Sequence, residues 1–369
     1  MTPRDDDFRS ILVVCTRQIG DVLLTTPLIR AAKTRWPAAR IDVLGFAGTL
    51  GMLEGNPDIA GRIEVRPGSG WWSSLGLIRR LWRRYDLALV TQRSDRAFWY
   101  ALVAARVRAG LLMGPRRFDW WKRPFLAHGL VITDAHAHVV GEKLALLAPW
   151  VDASAATAPL VVEPPALQPL PTALAGALRE RYVVVHAPSM WRYKQWPVEH
   201  FRVLIAELLA DGEQVVLSGG PGAADQAVVA ALRDLGTAPA LLDTSGSLSL
   251  GQLAALLRAA ALYIGPDTSI THLAVASGTP TISLYGPTPP TVWGPWPQGQ
   301  RRSDPPWRPT APLQRRGGVT LLQGPGACVP CGRAGCEDHA ASRADCLVAL
   351  EPQRVIDEAR ARLAGRVAA

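Results

Sequence analysis

The sequence predicts an α/β protein built from two Rossmann-like domains. Short apolar runs alternate with stretches of helical periodicity in both halves of the chain, the pattern of βαβ units around a parallel sheet. A Pro- and Ala-rich stretch at 149–178 interrupts this alternation, which restarts after it. The length of 369 residues also exceeds what one hydrophobic core usually holds together.

In the first half, apolar runs predict strands at Ile11–Cys15, Ile41–Gly45, Arg62–Val65 and Asp86–Val90. A helix is predicted at 21–36 (DVLLTTPLIRAAKTRW), within which Pro27 is compatible with a restart or a kink. We therefore expect a parallel sheet in a first domain at 1–165.

The same alternation in the second half predicts strands at Tyr182–His186, Gln214–Ser218, Ala261–Gly265 and Thr281–Tyr285. Helices are predicted at Pro197–Ala210 and Leu250–Ala260. We expect a second domain at 166–348 and a final segment at 349–369 that carries a helix near Pro352–Leu363. Ligands of open parallel sheets bind at the carboxyl ends of the strands, so the cleft between the domains is the expected site.

Composition excludes several classes of protein. A hydrophobic fraction of 48% and a charged fraction of 19% describe a globular chain, not a disordered one. The apolar runs are too short to cross a bilayer, and the N-terminus MTPRDDDFRS has no hydrophobic signal core, so we expect a cytoplasmic protein. The net charge of +9 favours anionic partners, although no nucleic-acid-binding motif accompanies it.

Asp21 is the first candidate for chemistry. It follows the Ile11–Cys15 strand after a short loop, so its carboxylate lies at a strand's carboxyl end and can accept a proton from an incoming hydroxyl. The same position also suits an acid that only stabilises the start of a helix.

The segment Gly265–His272 (GPDTSITH) is the second candidate. A strand ends at Gly265, Asp267 or Thr268 can cap the next helix, and the free N–H groups of that helix form an anion site suited to a pyrophosphate. His272 lies one turn into the helix and can reach the same anion. The alternative is a capped helix that binds nothing.

Two further loops follow strands of the second half. The loop Ser189–Trp196 (SMWRYKQW) carries Arg192 and Lys194, and a cation there can neutralise a leaving diphosphate. The loop Gly219–Asp225 (GGPGAAD) permits close approach to a nucleotide but lacks the third glycine of a dinucleotide fingerprint, which argues against NAD.

Four cysteines are close together in the sequence, with the spacing C-x2-C-x4-C-x9-C. They are Cys328, Cys331, Cys336 and Cys346. Such a set can hold a structural Zn or Fe ion in a cytosolic protein, or it can remain four reduced thiols. In either case the cluster is interpreted as structural, because no open catalytic ligand set accompanies it.

Aromatic and basic residues are interleaved at 71–84 (WWSSLGLIRRLWRR). Trp71, Leu75, Ile78 and Trp82 recur at helical spacing beside four arginines. This pattern favours a helix packed on its own sheet with a solvated basic face, although an interfacial helix would look the same. The loop Gly114–Arg123 has the same mixture and suits an anionic acceptor or a plain surface.

Several motifs occur in one order along most of the chain. They are RQIGDVLLTTPL at Arg17–Leu28, KQWP at Lys194–Pro197, DTSITHLA at Asp267–Ala274, GTPT at 278–281, YGPT at Tyr285–Thr288, and the pairs CVPC and CL at Cys328–Cys331 and Cys346–Leu347. In these motifs the chain resembles glycosyltransferase family 9, the heptosyltransferase family.

The resemblance implies a GT-B architecture, in which an acceptor domain and a nucleotide-sugar domain face each other across a cleft and the final helix folds back toward the first domain. It implies that Asp21 is the general base of an inverting transfer, and it assigns an ADP-sugar to the second domain. The donor contacts would come from Ser189, Lys194, Asp267, Thr268, Ser269 and His272. The acceptor contacts would come from Arg17, Gln18, Arg93 and Arg116.

The function implied is transfer of a heptose from ADP-heptose to a lipopolysaccharide inner-core acceptor, without a catalytic metal or cofactor. The expected partners are the nucleotide sugar, an anionic glycolipid and the inner face of the cytoplasmic membrane, at which the protein would be peripheral. Ser269 stands where many members have glycine, which leaves open another nucleotide sugar or another acceptor. A nucleotide-sugar-binding protein without turnover is the remaining alternative.

Overall fold

The computed structural model describes residues 7–66, 75–114, 119–132, 137–151 and 159–365. The chain forms two compact units, the first comprising Met1–Ala166 with Gly299–Asp304 and the second Leu167–Gln298 with Pro305–Ala369. The change of unit after Ala166 lies beside the predicted boundary. The segment 349–369, predicted as a separate element, belongs to the second unit, and its expected approach to the first domain stays a prediction.

The described strands of the first unit form one parallel sheet in the order β3-β2-β1-β4-β5-β6. They are β1 (Ser10–Cys15), β2 (Arg40–Phe46), β3 (Gly61–Val65), β4 (Tyr85–Val90), β5 (Ala105–Leu112) and β6 (His128–Val131). Residues 11–15 of β1 are buried, as expected for a central strand covered on both faces. The four predicted strands are confirmed, whereas β5 and β6 were not predicted.

The predicted helix at 21–36 is two helices, α1 (Ile19–Leu23) and α2 (Thr26–Arg35). The break lies before Pro27, which sits in the first turn of α2, where a missing N–H costs nothing. The later helices of this unit are α3 (Leu75–Leu81), α4 (Asp95–Ala104) and α5 (Val139–Leu144).

Helix α3 packs on the sheet through a different face from the one that its sequence predicts. Leu81 is buried in the core and Leu77 packs against it. In contrast, Leu75 and Trp82, which belong to the predicted apolar stripe, are 44% and 63% exposed. Trp71, the first residue of that stripe, lies outside the described residues. Leu75 and Trp82 of the stripe therefore face solvent and not the sheet.

The described strands of the second unit form a sheet in the order β12-β13-β11-β10-β7-β8-β9, with only β12 antiparallel. They are β7 (Tyr182–His186), β8 (Gln214–Ser218), β9 (Leu241–Asp243), β10 (Leu262–Pro266), β11 (Thr281–Tyr285), β12 (Leu313–Arg316) and β13 (Val319–Gln323). Without β12, this is the strand order of the first unit. Three predicted strands match in both bounds, and β10 lies one residue later than predicted.

The described helices of the second unit are α6 (Thr172–Ala177), α7 (Val198–Ala210), α8 (Ala223–Ala230), α9 (Leu250–Ala259), α10 (Ser269–Ala276), α11 (Pro290–Trp293), α12 (Asp345–Val348) and α13 (Pro352–Ala364). A capping box fixes the start of α9, because the side chains of Ser249 and Gln252 each accept the other's backbone N–H. In the described part of the chain, no helix is both long and apolar enough to cross a bilayer.

Helix α13 is held on the second unit by two sets of ionic contacts. On its exposed side, Arg360 pairs with Glu207 of α7 and with Asp211, the residue after α7, each at 2.7 Å. On its buried side, Glu358 is 5% exposed and accepts hydrogen bonds from Arg315, Arg362 and the Thr320 hydroxyl. The two sets differ mainly in their access to water.

We predict that Glu358→Gln lowers the free energy of unfolding by about 2 kcal/mol, because it leaves two guanidinium groups without their carboxylate. Urea unfolding followed by circular dichroism measures this change. Arg360→Ala, on the same helix, is the matched control and should leave the unfolding midpoint close to wild type, because water screens its ion pairs. Equal losses in the two variants would contradict the prediction.

Candidate active site

In the second unit, β7 and β10 are neighbouring strands, and the loops after them diverge. Lys194 and Asp267 lie in these loops and meet there. Lys194 ends a short 3-10 turn, Arg192–Lys194, in the loop after β7, and Asp267 directly follows β10. The Lys194 ammonium lies 2.6 Å from Oδ2 of Asp267. Two residues singled out from separate motifs thus form one ion pair at the carboxyl edge of the sheet.

Asp267 is ionised despite its burial. It is 6% exposed, and burial by itself would raise the pKa of its carboxyl. The charges of Lys194 and His272 and the hydrogen bonds from Lys194 and Thr288 outweigh burial, so the pKa of Asp267 is lowered. The Lys194 side chain is 20% exposed, so this cation has one side toward Asp267 and some access to a ligand.

Helix α10 begins directly after this pair. Its N-cap is Thr268, whose side chain makes no capping hydrogen bond. The Thr268 side chain therefore does not compete for the N–H groups at the start of α10, and a helix N-terminus favours an anion. Ser269 is the first helical residue, and His272 lies one turn later, 6% exposed. The structure thus brings five of the six donor candidates to one place.

The remaining donor candidate, Ser189, lies earlier in the loop after β7 and is partly buried. Its hydroxyl accepts the N–H of Trp191 at 3.4 Å. This contact shapes the loop that carries Lys194. The structure shows no direct contact of Ser189 with the ion pair.

Tyr285 and Thr288 belong to the YGPT motif, but the sequence analysis gave them no role. The Tyr285 hydroxyl donates to Oδ1 of Asp267 at 3.2 Å, and burial raises the pKa of this phenol. Thr288, 8% exposed, hydrogen-bonds the same carboxylate. Lys194, Tyr285 and Thr288 therefore all bind the Asp267 carboxylate.

His186 is a third residue to which the sequence analysis gave no role. It ends β7, is 4% exposed, and its Nδ1 lies 3.0 Å from the Ser218 hydroxyl of β8. Burial lowers the pKa of His186 to about 4, although Asp225 and Ser218 favour its protonation. The imidazole of His186 is therefore neutral at neutral pH. In the sequence, this histidine was identified only as the last residue of a predicted strand.

In the first unit, Asp21 lies in the first turn of α1, after the end of β1. Its side chain is 11% exposed, and its Oδ1 lies 3.2 Å from Nε of Arg17. Gln92, just after β4, donates to the Thr16 hydroxyl at 2.6 Å and ties the ends of the two strands together. Asp21 therefore occupies the equivalent edge of the first sheet.

The backbone at Asp21 is held by Lys143 of α5, which the sequence analysis did not single out. Lys143 is 1% exposed, and its ammonium donates to the Asp21 carbonyl at 2.5 Å and to the Thr25 hydroxyl at 3.0 Å. The Thr25 hydroxyl also donates to the Asp21 carbonyl, at 2.7 Å. A buried ammonium with such partners fixes α1 and with it the direction of the Asp21 side chain.

Three of the four acceptor candidates lie near Asp21 in the first unit. Arg17 and Gln18 are exposed in the loop before α1, and Arg93 is exposed just after β4. Arg93 lies close enough to Glu142 of α5 to favour its charged form, although burial raises the pKa of Glu142 overall. Arg116 lies outside the described residues.

Two other loops of the second unit carry motifs noted in the sequence. In the loop after β8, the carboxylate of Asp225 accepts the N–H of Gly220 at 2.8 Å, so this N–H already has a partner within the chain. The four clustered cysteines are free, and within the described residues no group of three or more Cys, His, Asp or Glu could hold a metal ion. Burial raises the pKa of the Cys346 thiol to about 11. The thiols of Cys331, Cys336 and Cys328 lie close enough to Cys346 to raise its pKa further.

Solved structures share this fold along nearly the whole chain. Heptosyltransferase II from Escherichia coli, an ADP-heptose lipopolysaccharide heptosyltransferase, has a TM-score of 0.71 at 22% identity and covers 97% of this chain and 99% of its own. A family 9 glycosyl transferase from Veillonella parvula has a TM-score of 0.73 at 19% identity and covers 99% and 100%. With its two parallel-sheet units, the chain has the GT-B fold, and this places it in the GT-B structural class.

Sequence comparison identifies the family. The profile of glycosyltransferase family 9 (heptosyltransferase) matches residues 74–307. Lipopolysaccharide heptosyltransferase 3 of Escherichia coli is 32% identical over 294 residues, which are 76% of this chain and 83% of that protein. The chain belongs to glycosyltransferase family 9 (heptosyltransferase).

The buried His186 predicts an acid-sensitive stability. The unfolded chain binds a proton at this residue near pH 6.5 and the folded chain only near pH 4, so stability is lost as pH falls through that window. At about pH 5, His186 alone should lower the free energy of unfolding by about 2 kcal/mol relative to about pH 7.5.

Urea unfolding of wild type and His186→Gln at the two pH values measures this difference. The variant should lose less stability on acidification than wild type, by about the same 2 kcal/mol. His339→Gln, which removes an exposed histidine, is the control and should behave as wild type. An unchanged acid response in His186→Gln would show that the folded protein protonates this imidazole.

Proposed function

We propose that this enzyme transfers a heptose from ADP-heptose to the inner core of a lipopolysaccharide, with inversion at the anomeric carbon. The observation that carries the proposal is the Lys194–Asp267 pair beside the N-terminus of α10, in a chain 32% identical to a lipopolysaccharide heptosyltransferase. A cation and a helix N-terminus at one edge of a parallel sheet suit a diphosphate.

The donor half of the proposal concerns the leaving group. When the bond between the anomeric carbon and the diphosphate oxygen breaks, negative charge develops on ADP. Lys194 and the first-turn N–H groups of α10 would hold that charge, and His272 would assist. Asp267 would hold Lys194 in place and exchange part of this contact when the diphosphate arrives. Protein cations would then supply the neutralisation that a metal supplies in other transferases.

The acceptor half concerns the nucleophile. The Asp21 carboxylate would take the proton of an acceptor hydroxyl as its oxygen attacks the anomeric carbon. Arg17, Arg93 and Arg116 would bind the anionic groups of the acceptor, for which guanidinium groups are suited, and the Gln18 amide would donate a neutral hydrogen bond there. The low exposure of Asp21 and the support of its backbone by Lys143 favour this role over a merely helix-starting acid.

The acceptor would be anchored in a membrane, so we propose that the enzyme works in the cytoplasm and attaches peripherally to the inner face of the cytoplasmic membrane. The net charge of +9 favours such a surface. No cofactor is proposed, and the nucleotide sugar is a substrate.

Donor selection is tested by calorimetry with ADP, UDP, GDP and ADP-heptose. We expect selective binding of ADP and ADP-heptose, and we expect Lys194→Met to weaken ADP binding about 10- to 100-fold through loss of a charge-assisted hydrogen bond. His272→Ala should weaken it in the same direction. Tighter binding of UDP or GDP would overturn the heptose assignment.

Arg192→Met is the matched control for Lys194→Met. Arg192 lies two residues earlier on the same turn and is exposed, so its loss removes the same charge from the same loop. ADP affinity should remain within about twofold of wild type, apart from long-range screening. Equal weakening in both variants would mean that overall charge, and not the position of Lys194, governs binding.

The general base is tested by Asp21→Asn. Turnover should fall about 100- to 10,000-fold while ADP-heptose affinity stays unchanged, because the amide cannot accept the proton. Single-turnover transfer to purified core acceptor measures the step. Asp357→Asn, an exposed acid on α13, is the control and should retain full turnover. Intact turnover in Asp21→Asn would exclude this residue as the base.

A further inference from the structure

The first unit exposes an unusual group of large aromatic side chains, here called the aromatic patch: Trp82, Trp99, Trp120 and Phe125. Their exposed fractions are 63%, 49%, 69% and 45%. Each such side chain can bury 150 to 250 Å² or so, and exposed apolar area of this size commonly marks a binding surface.

Contacts join the elements that carry Trp82, Trp99 and Trp120. The N–H of Arg83 donates to the carbonyl of Val103 at 2.9 Å, which joins the end of α3 to the end of α4. Trp99 lies four residues before Val103 and therefore on the same side of α4. Its ring stacks on Trp121 at a centroid distance of 5.3 Å, and Trp120 is the adjacent residue.

The segment that carries Trp120 is firmly anchored. Lys122 is 3% exposed and pairs with Asp119 at 2.7 Å and with Asp95 of α4 at 2.6 Å. Its ammonium also lies 5.6 Å from the centre of the Trp121 ring. The Lys122–Asp95 ion pair therefore holds the segment on α4, and Trp120 of this segment is exposed.

Unpaired positive charge borders the aromatic patch. Arg79, Arg80, Arg83 and Arg84 are exposed, and none of them has a carboxylate within ion-pairing distance among the residues that the structure describes. The Arg83 guanidinium lies 5.9 Å from the centre of the Trp82 ring. Arginine beside tryptophan matches the boundary between lipid headgroups and acyl chains.

We propose that the aromatic patch and its four arginines dock the first unit on an anionic phospholipid surface. The rings would enter the interfacial layer, and the guanidinium groups would meet lipid phosphates. The outward stripe of α3, which the sequence assigned to internal packing, is then a membrane-facing stripe. The proposal rests on the membrane attachment proposed above, although not on the transfer reaction itself.

Vesicle co-sedimentation tests the docking directly with the full chain. Wild type should bind phosphatidylcholine vesicles that contain phosphatidylglycerol and bind pure phosphatidylcholine vesicles much more weakly. Trp82→Ala and Trp120→Ala should each lower the partition coefficient about tenfold, and Arg80→Gln should lower it about fivefold. Val203→Ala and Arg258→Gln, exposed residues of the second unit, are the matched controls and should bind as wild type.

Turnover on two forms of acceptor separates this proposal from the proposed reaction. On a delipidated, soluble acceptor the aromatic-patch variants should keep wild-type turnover, whereas on acceptor embedded in anionic vesicles they should lose it. Vesicle binding that is unchanged in the patch variants, or wild-type binding that ignores phosphatidylglycerol, would overturn the docking proposal. If wild type binds vesicles as expected but transfers no heptose, the reaction fails and the docking surface stands.

Discussion

In each unit the parallel sheet grows outward from its first strand in two directions, so the loops after two neighbouring central strands turn away from each other and leave a crevice. The first unit has this reversal between β1 and β4, and the second has it between β7 and β10. Asp21 follows β1, and Lys194 and Asp267 follow β7 and β10. Lys194 and Asp267 are far apart in the sequence. They meet because both follow neighbouring central strands at this crevice.

The Lys194–Asp267 pair is costly to bury, and its surroundings reflect that cost. A desolvated carboxylate requires several partners, and Asp267 has Lys194, Tyr285 and Thr288. Replacing such a pair by apolar residues often stabilises a fold, so its presence at the end of β10 indicates a use other than stability. An ammonium already held by a carboxylate would need little reorganisation to bind the diphosphate that we propose for this site.

Buried strands and motif residues could be predicted from the sequence, because a strand covered on both faces reads as a continuous apolar run, as in Tyr182–His186. Strand β5 was not predicted, because Arg106 and Arg108 interrupt its apolar residues and no turn residue separates it from helix α4, which ends at Ala104. Lys143 and Tyr285 were missed because their roles depend on partners 122 and 18 residues away. Helix α3 was oriented wrongly because apolar spacing identifies a stripe and not the surface that it faces.

The short return of Gly299–Asp304 into the first unit makes the two units interleaved in sequence. The Gln300 carbonyl accepts the N–H of Leu160 at 2.9 Å, and Arg301 forms an antiparallel β-bridge with Pro159. A fragment that ends at Ala166 therefore lacks part of its own surface, and a fragment that begins at Leu167 carries a piece that belongs elsewhere. Domain exchange among relatives should therefore use the whole chain, because no single cut in the sequence separates the two units.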